Sequence, residues 1–322
     1  MKRFARSIAA AVALFALLPV PAQAAELLIP GGSIIGLRLG SDAITVAAYD
    51  ETLGEAARSA GLKIGDELVE VDGVAVSSAQ AVPELLQSCT GTVCLTVRRS
   101  GRLETVQLTP VQTSEGPRLG VYLRQGIAGI GTVTFYDPDT HLFGTLGHGV
   151  SDSRGNLLKM TQGSAYTAWV QSVKKGRSGA PGQLKGSADA LENCGELLKN
   201  TPQGVFGISQ RGWKGEPVPT GEYEAIHEGE ATIRSTVTGD SPREYCVEIL
   251  KIYPRTRPDG RNFLLRVTDP ALLDATGGIV QGMSGSPILQ DGKLIGAVTH
   301  VLVNDATVGY GIYIGNMLEA AA

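Results

Sequence analysis

The sequence contains few of the residues on which several classes of protein depend. Aromatic residues make up 5% of the 322 positions, and there are only four cysteines and four histidines. Because no cysteines form a Cys-x-x-Cys pair and the histidines are scattered, the pattern disfavours a zinc site, and we expect no metal. Basic residues are not in excess: 28 Lys and Arg against 32 Asp and Glu give a formal net charge of -4. Nucleic-acid binding relies on clustered basic residues, so we expect no nucleic-acid partner.

Long hydrophobic runs are missing beyond the N-terminus, where no segment approaches the roughly 18–20 apolar residues of a membrane span. The first residues have the order of a secretory signal peptide: Lys2 and Arg3, an apolar run over 8–18, and Ala22-Gln23-Ala24. We expect cleavage after Ala24, with an uncleaved anchor as the alternative, so the mature protein is exported. Export is compatible with disulfides, although the sequence does not fix a pairing; the cysteines are Cys89, Cys94, Cys194 and Cys246.

Residues 30–110 have the pattern of one small domain. Short strand-like runs alternate with two helix-compatible segments, 55–60 and 78–88, and Asp72-Gly73 is typical of a hairpin turn. The string over 61–74, Gly-Leu-Lys-Ile-Gly-Asp-Glu-Leu-Val-Glu-Val-Asp-Gly-Val, resembles a PDZ domain.

In PDZ domains the loop before the first strand offers backbone amides to the C-terminal carboxylate of a peptide, which then adds a strand to the sheet. The resemblance implies that this loop corresponds to Ser33, Ile34, Ile35 and Gly36. A docking or regulatory module without recognition of a peptide terminus is the alternative.

The remainder, residues 111–322, is rich in Gly, Thr and Val, and most of its apolar runs are short. Regularly spaced short strands with Gly and Pro turns favour a barrel or a sandwich. We expect strands at 131–136, 230–233, 245–250 and 263–267, and one helix candidate within 184–200.

A serine between glycines, Gly282-Met283-Ser284-Gly285, precedes a strand-like run over 294–298. Glycines allow the backbone dihedrals that aim several N–H groups into one pocket, which suits the oxyanion of an acyl-transfer reaction. An ordinary hairpin in a Gly-rich protein is the alternative.

A serine nucleophile needs a base, and histidine accepts and returns protons near neutral pH. His148 lies in a small, Gly-flanked segment and is the expected base. His141 and His227 lie in polar surroundings, and for His300 we expect a core or strand-end role.

A carboxylate would orient the imidazole of the base. Asp152 and Asp269 are both candidates, and their spacing does not decide between them. Asp152 could instead close a turn, and Asp269 could instead cap the segment 270–274.

Four segments together resemble the stage IV sporulation protein B peptidases, which are chymotrypsin-like serine endopeptidases with a preceding PDZ domain. The resemblance implies a mainly β fold, with a PDZ domain at 30–110 and a β-barrel peptidase domain at 111–322. It implies Ser284 as nucleophile, His148 as general base and acid, and Asp269 as their acidic partner, with no cofactor. The amides of Gly282 and Ser284 would then form the oxyanion hole. The segments are Gly-Ile-Gly-Thr-Val-Thr-Phe-Tyr-Asp-Pro (129–138), Leu-Gly-His-Gly-Val-Ser-Asp (146–152), Val-Thr-Asp-Pro (267–270) and Gly-Gly-Ile-Val-Gln-Gly-Met-Ser-Gly-Ser-Pro-Ile (277–288).

The resemblance also implies a place and a partner. Members of this family are secreted into the intermembrane space around the forespore. They cleave themselves near the N-terminus, and they cleave the exposed segment of a membrane-bound regulator, so that an intramembrane protease activates a late mother-cell sigma factor.

Three other classes are weaker alternatives. A non-catalytic PDZ scaffold has no chemical need for Ser284, His148 and Asp269 together. Envelope trypsin-like proteases usually place the PDZ domain after the protease domain. An α/β-hydrolase needs Gly-x-Ser-x-Gly between a strand and a helix, and the final glycine is missing here.

Overall fold

The computed structural model describes residues 26–152 and 154–322, and in this part of the chain strands predominate over helices. The strands are β1 (Leu27–Pro30), β2 (Ile34–Tyr49), β3 (Glu67–Val71), β4 (Val74–Ala75), β5 (Val93–Arg99), β6 (Arg102–Leu108), β7 (Val111–Thr113), β8 (Gly116–Arg118), β9 (Val121–Tyr136), β10 (Leu142–Thr145), β11 (Gln162–Lys174), β12 (Gln183–Thr201), β13 (Gly204–Ser209), β14 (Val218–Pro219), β15 (Gly229–Ser235), β16 (Arg243–Ile252), β17 (Phe263–Val267), β18 (Pro287–Gln290), β19 (Lys293–Leu302) and β20 (Asp305–Tyr313). The helices are α1 (Gly54–Ser59), α2 (Val82–Gln87), α3 (Pro270–Thr276) and α4 (Ile314–Ala321).

Six strands form the first barrel in the order β9-β10-β13-β12-β11-β2, and the antiparallel pairing of β2 with β9 closes it. Its core contains Leu37, Val133, Phe143 and Val205, all nearly inaccessible to solvent.

Six further strands form the second barrel, closed in the order β15-β16-β17-β20-β19-β18. In β17, Phe263, Leu265 and Val267 are buried, whereas the residues between them are partly or fully exposed. This alternation is what a strand with one face on a core requires. The two barrels confirm the expected mainly β, chymotrypsin-like architecture.

The small N-terminal domain packs α1 and α2 against β3, β4, β5 and β6. Its core includes Leu68, Leu86 and Leu95. Ser78 Oγ accepts a hydrogen bond from Ala81 N and so caps the start of the helical segment that the sequence indicated at 78–88.

The long strands β2 and β9 belong to both the small domain and the first barrel. Residues 34–39 pair with 127–132 inside the barrel, and after an irregularity 44–49 pair with 121–125 inside the small domain. The structure therefore divides the chain differently from the expected ranges 30–110 and 111–322. Residues 34–39 belong to the first barrel, and residues 121–125 belong to the small domain.

One expected element is wrong. The helix candidate within 184–200 is the strand β12, which pairs with β11 on one side and β13 on the other. Cross-strand hydrogen bonds on both edges outweigh the local helix preference of this segment, which Gly186 and Gly195 already weaken.

The expected strands at 131–136, 230–233, 245–250 and 263–267 are confirmed. All four cysteines are free thiols in the structure. The expected signal peptide lies outside the described residues. Of the helices that the structure describes, none has both the length and the apolar character needed to cross a bilayer.

Candidate active site

Ser284 lies in a tight turn over residues 281–286, called the Ser284 turn below, which leads into β18. Gly282 and Gly285 have φ values of +99° and +97°, a region that glycine adopts without a steric penalty. A Cβ at Gly285 would lie 2.0 Å from the carbonyl oxygen of Thr132. Glycine is therefore required here by both the dihedral and the close approach of β9.

Hydrogen bonds fix the orientation of two peptide groups in the Ser284 turn. The carbonyls of Gln281 and Met283 accept hydrogen bonds from Leu184 N at 2.8 Å and from Ser286 N at 2.9 Å. The N–H groups of the same two peptides, which belong to Gly282 and Ser284, point the opposite way. Within residues 26–152 and 154–322 neither N–H donates to another group. Two free backbone donors, at Ser284 and two residues before it, are the groups from which an oxyanion hole is built.

Strand β9 holds the Ser284 turn from the other barrel. Thr132 Oγ1 donates to the Gly282 carbonyl at 2.8 Å, and Thr132 N donates to the Ser284 carbonyl at 3.1 Å. Two residues further on, Thr134 Oγ1 donates to the Gly285 carbonyl at 2.8 Å. Both threonines are buried. The position of the turn is thus set by residues about 150 positions away in the sequence.

His148 follows β10, where Leu146 and Gly147 turn the chain with φ values of +70° and +66°. A Cβ at Gly147 would come within 3.0 Å of side-chain atoms of Thr299 and Ile312. This close contact brings His148 to the second barrel, where its ring centroid is 5.1 Å from that of His300.

The Nδ1 atom of His148 lies 2.9 Å from the carbonyl oxygen of Gly149. A carbonyl only accepts hydrogen bonds, so this contact places the ring proton on Nδ1 and leaves Nε2 with a lone pair. Burial of the ring lowers the pKa of His148, and the bond to Gly149 opposes this only in part. The imidazole is therefore neutral and able to act as a base near neutral pH.

The hydroxyl of Ser284 donates to the carbonyl oxygen of Thr299 at 2.6 Å, not to His148. Thr299 is on β19, and the next residue is His300. The pKa of His300 is lowered to about 4, first by loss of water around the ring and then by repulsion from His148 in its charged form. Ser284 thus contacts the residue next to His300, and the ring of His300 neighbours that of His148 between the barrels. Sequence reasoning missed His300 as a site residue, although its place sixteen positions after Ser284, just after a predicted strand, was a usable signal.

The carboxylates behave differently from the expectation. Asp269 Oδ1 accepts from Ala271 N at 2.9 Å and from Leu272 N at 3.0 Å, while Oδ2 accepts from Cys246 N at 3.3 Å. In this structure its carboxylate caps α3 and makes no hydrogen bond with His148.

The other candidate acid, Asp152, closes a turn, which was the alternative role that the sequence offered for it. Its Oδ1 accepts from Arg154 N at 2.8 Å and from Asn156 N at 3.0 Å. The remaining two histidines also lie apart from Ser284. His141 contacts the hydroxyl of Tyr136, and the exposed His227 contacts Asp291.

The expected peptide-binding residues of the small domain, Ser33, Ile34, Ile35 and Gly36, are not at a peptide groove. Ile35 pairs with Gly131 of β9 on one side and with Thr167 of β11 on the other, and its side chain is buried. Because both edges of this part of β2 are occupied, a peptide cannot add a strand there. This expectation was wrong.

A groove of about 300 Å³ does exist in the small domain, between α2 and the start of β9. Residues 121–125 of β9 pair with β2 along one edge, and within the described residues their other edge faces α2 without a paired strand. Gly120, with φ of +72°, precedes this open edge, and Arg118 lies beside it. The sequence signal for this peptide-binding loop was Arg118-Leu119-Gly120-Val121, a Gly-containing turn before a strand. It lies at the end of the small domain, whereas we expected the loop at its beginning. The apolar lining comprises Val82, Pro83, Leu86, Leu119, Val121 and Leu123.

No group of three or more His, Cys, Asp or Glu side chains that could hold a metal ion occurs within residues 26–152 and 154–322.

The cap assignment gives a prediction for Asp269. Replacing it with Ala should lower the free energy of unfolding by about 1 kcal/mol, because α3 loses its N-cap, whereas Asn caps equally well and should leave stability unchanged. Urea unfolding of both variants measures this effect. Asp269→Asn should also keep the peptide hydrolysis that the resemblance implies. A loss of about four powers of ten in kcat at unchanged stability would instead identify Asp269 as the catalytic acid.

The comparisons with known proteins agree on two segments. The sequence model described as SpoIVB peptidase S55 matches residues 115–318, and that of a PDZ domain matches 54–99. No curated protein matches the chain.

Among solved structures, the chain is similar to the PDZ domain of the SdrC-like protein from Listeria monocytogenes, with 23% identity, a TM-score of 0.22, and coverage of 26% of this chain and 87% of that chain. It is also similar to the active form of the Rv3671c protease from M. tuberculosis, with 13% identity, a TM-score of 0.38, and coverage of 61% and 75%. A third is the HtrA-type protease AlgW with a decapeptide, with 14% identity, a TM-score of 0.36, and coverage of 65% and 57%.

Since the S55 match covers well over half of the 322 residues and contains His148, Ser284 and most of both barrels, this chain belongs to the SpoIVB peptidase S55 family of serine peptidases, with a PDZ domain before the peptidase domain.

Proposed function

We propose that this protein is an exported serine endopeptidase of sporulation signalling, which cleaves itself and the exposed segment of a membrane-bound regulator in the intermembrane space of the forespore. Membership of the S55 family supports the activity and the signalling role. The N-terminal pattern of Lys2-Arg3, an apolar run and Ala22-Gln23-Ala24 supports export, with membrane association before cleavage. The observation that carries the proposal is the Ser284 turn with its two free amides, held against Thr299, while His148 lies against the neighbouring His300.

In the proposed mechanism Ser284 attacks the scissile carbonyl after its hydroxyl turns from Thr299 O to Nε2 of His148. His148 takes the proton as general base and returns it to the leaving amine as general acid. The carbonyl of Gly149 holds the Nδ1 proton, so it selects the tautomer that this step needs. The amides of Gly282 and Ser284 stabilise the oxyanion of the tetrahedral intermediate, and water then hydrolyses the acyl-enzyme.

The small domain supplies a second peptide site in this proposal. An extended peptide adds as a strand to the open edge of residues 121–125. The C-terminal carboxylate of this peptide then lies beside the N–H groups of the Leu119–Gly120 turn and the Arg118 cation. The lining of the groove suits an apolar C-terminal side chain.

Autoproteolysis tests the proposed function directly. Purified residues 25–322 should give discrete self-cleavage products on incubation, and Ser284→Ala should give none while keeping the wild-type thermal unfolding curve. Intact mass over time measures both. His148→Ala should lose several powers of ten in rate, as expected for a base that acts as one unit with its nucleophile. Wild-type cleavage by Ser284→Ala would exclude the mechanism, and labelling of Ser284 by a fluorophosphonate identifies a reactive serine if no self-cleavage occurs.

The pH profile should report the environment of His148. A base works only in its neutral form, and burial lowers the pKa of this imidazole below its usual value near 6.5. His148 therefore becomes protonated at a lower pH than an exposed histidine does. We expect the acid limb of kcat/KM against pH to have its midpoint below 6.5. A midpoint above 6.5 would show that a negative charge, and not burial, dominates around His148.

Thr132 should act as a positioning residue for the oxyanion hole. Thr132→Val keeps the shape of the side chain but leaves the Gly282 carbonyl without its partner, so we expect kcat to fall about tenfold or more with little change in KM. Thr236→Val is the control, because Thr236 is also buried and its hydroxyl donates at 3.0 Å to the carbonyl of Gly32, which is not part of the Ser284 turn and keeps Thr236 N as a second donor. We expect kcat to fall further for Thr132→Val than for Thr236→Val; equal kcat values would remove this role from Thr132.

A further inference from the structure

A row of four side chains leads away from Ser284 across the second barrel, and we call it the cleft row: His148, His300, Tyr310 and Arg261. The rings of His148 and His300 are 5.1 Å apart. His300 pairs with Tyr310 across β19 and β20, and directly paired residues project from the same face of a sheet. The guanidinium carbon of Arg261 lies 4.9 Å from the centre of the Tyr310 ring.

Arg261 is the least satisfied of three arginines in the loop over residues 253–262. Arg257 forms a two-pronged pair with Asp259 at 2.7 and 3.0 Å, and Arg255 pairs with Glu319. Arg261 reaches only Asp259, at 3.9 Å, and that carboxylate is already held by Arg257.

The Nε atom of Arg261 is buried and has no hydrogen-bond partner in the part of the chain that the structure describes. A buried donor without a partner is uncommon and costly in a folded protein, and a carboxylate is the natural acceptor for a guanidinium. The side chain as a whole is 37% exposed, and among the described residues its terminal nitrogens make no hydrogen bond, so these nitrogens, and not the buried Nε, are the part that another molecule can reach.

The positive charge of Arg261 acts on His300, which lies beside the proposed active site. Arg261 is among the groups that lower the pKa of His300, after loss of water around the ring and the charge of His148, while Asp259 opposes them. These are the titratable groups that face His300. The negative charge of Asp259 is already paired with Arg257. Arg261 therefore leaves an excess of positive charge at its end of the cleft row.

A peptide held at Ser284 has room to follow this row. β18 pairs with β19 only up to Ala297, and Val298 then bonds to Gly285 and Ser286 of the Ser284 turn. The next carbonyl, that of Thr299, contacts the nucleophile itself. A chain that places its scissile bond over Ser284 therefore passes beside the exposed His300. From His300 to Arg261 the row covers one strand spacing of about 4.8 Å and the 4.9 Å from the Tyr310 ring to the guanidinium, which together equal about three extended residues at about 3.3 Å each.

We propose that Arg261 is a specificity-determining residue, which binds an acidic side chain of the peptide substrate about three residues from the bond that Ser284 attacks. The ring of Tyr310 limits the movement of the guanidinium, whose carbon lies 4.9 Å from the ring centre. This inference rests on the proposed function and adds a substrate class to it, namely peptides with Asp or Glu at one fixed distance from the cleaved bond.

A quenched fluorogenic peptide set tests the inference, with Glu, Gln or Lys placed in turn at each of the four positions on either side of the cleaved bond. For the wild type, kcat/KM should be about five- to tenfold higher with Glu than with Lys at a single position two to four residues from the bond. Arg261→Gln should remove this preference, Arg261→Lys should keep part of it, and Arg261→Glu should reverse it toward Lys. The reversal is an outcome that a purely structural role of Arg261 would not produce.

Arg255→Gln is the matched control, since Arg255 lies in the same loop, also contacts a tyrosine ring, and loses the same charge. It should keep the preference for Glu. Absence of any Glu preference in the wild type, or equal loss of it in both glutamine variants, would overturn the inference.

A second arm separates this inference from the proposed function. Fluorescence anisotropy with Ser284→Ala should show tighter binding of the Glu peptide than of the Lys peptide, and Arg261→Glu in that background should reverse the order. If no peptide is cleaved by the wild type, the endopeptidase proposal fails, yet the binding order still decides whether Arg261 selects acidic peptides. Equal binding of both peptides would refute the subsite.

Discussion

The hydrogen bonds from β9 to the Ser284 turn are the constraint on which the site depends. Thr132 and Thr134 lie in the first barrel, and the carbonyls that they hold lie in the second. The bond from Thr134 is buried and the bond from Thr132 is partly buried, so loss of either donor leaves a carbonyl with little access to water and without its partner. These bonds keep the nucleophile, its oxyanion donors and the histidine of the other barrel in one frame, and Gly285 is a glycine because the strand approaches so closely.

The state of the reactive groups follows from the same frame. Ser284 rests on the carbonyl of Thr299, and His148 directs its one proton to the carbonyl of Gly149. The imidazoles of His148 and His300 favour their neutral forms for two reasons. Each ring is partly shielded from water, and a charge on one ring would repel a charge on the other. The structure thus holds a neutral imidazole and a serine hydroxyl that is bonded to a backbone carbonyl, and in the proposed mechanism the hydroxyl rotates away from this carbonyl before attack.

Local sequence predicted the parts of the fold and site that depend on local chemistry. The glycines beside Ser284 form the tight turn that their pattern indicated, and short apolar runs mark strands such as β17. Asp269 was misleading because a residue before Pro270 suits a helix cap and a catalytic acid equally well. The contact of His148 with His300 and the pairing of Ile35 on both edges arise from strands distant in sequence, and no single segment encodes them.

Strand β9 also fixes a length. The open edge of the groove ends near Gln125, and Thr132, which holds the Ser284 turn, is seven residues further along the same strand. At about 3.3 Å per residue, the two places are at most about 23 Å apart, and Gly126, with φ of +92°, bends the strand between them. Both places belong to one continuous strand, so their separation is fixed by the fold. A protein bound in the groove by its last residues would therefore offer Ser284 a bond farther up its own chain, and not one beside its C-terminus.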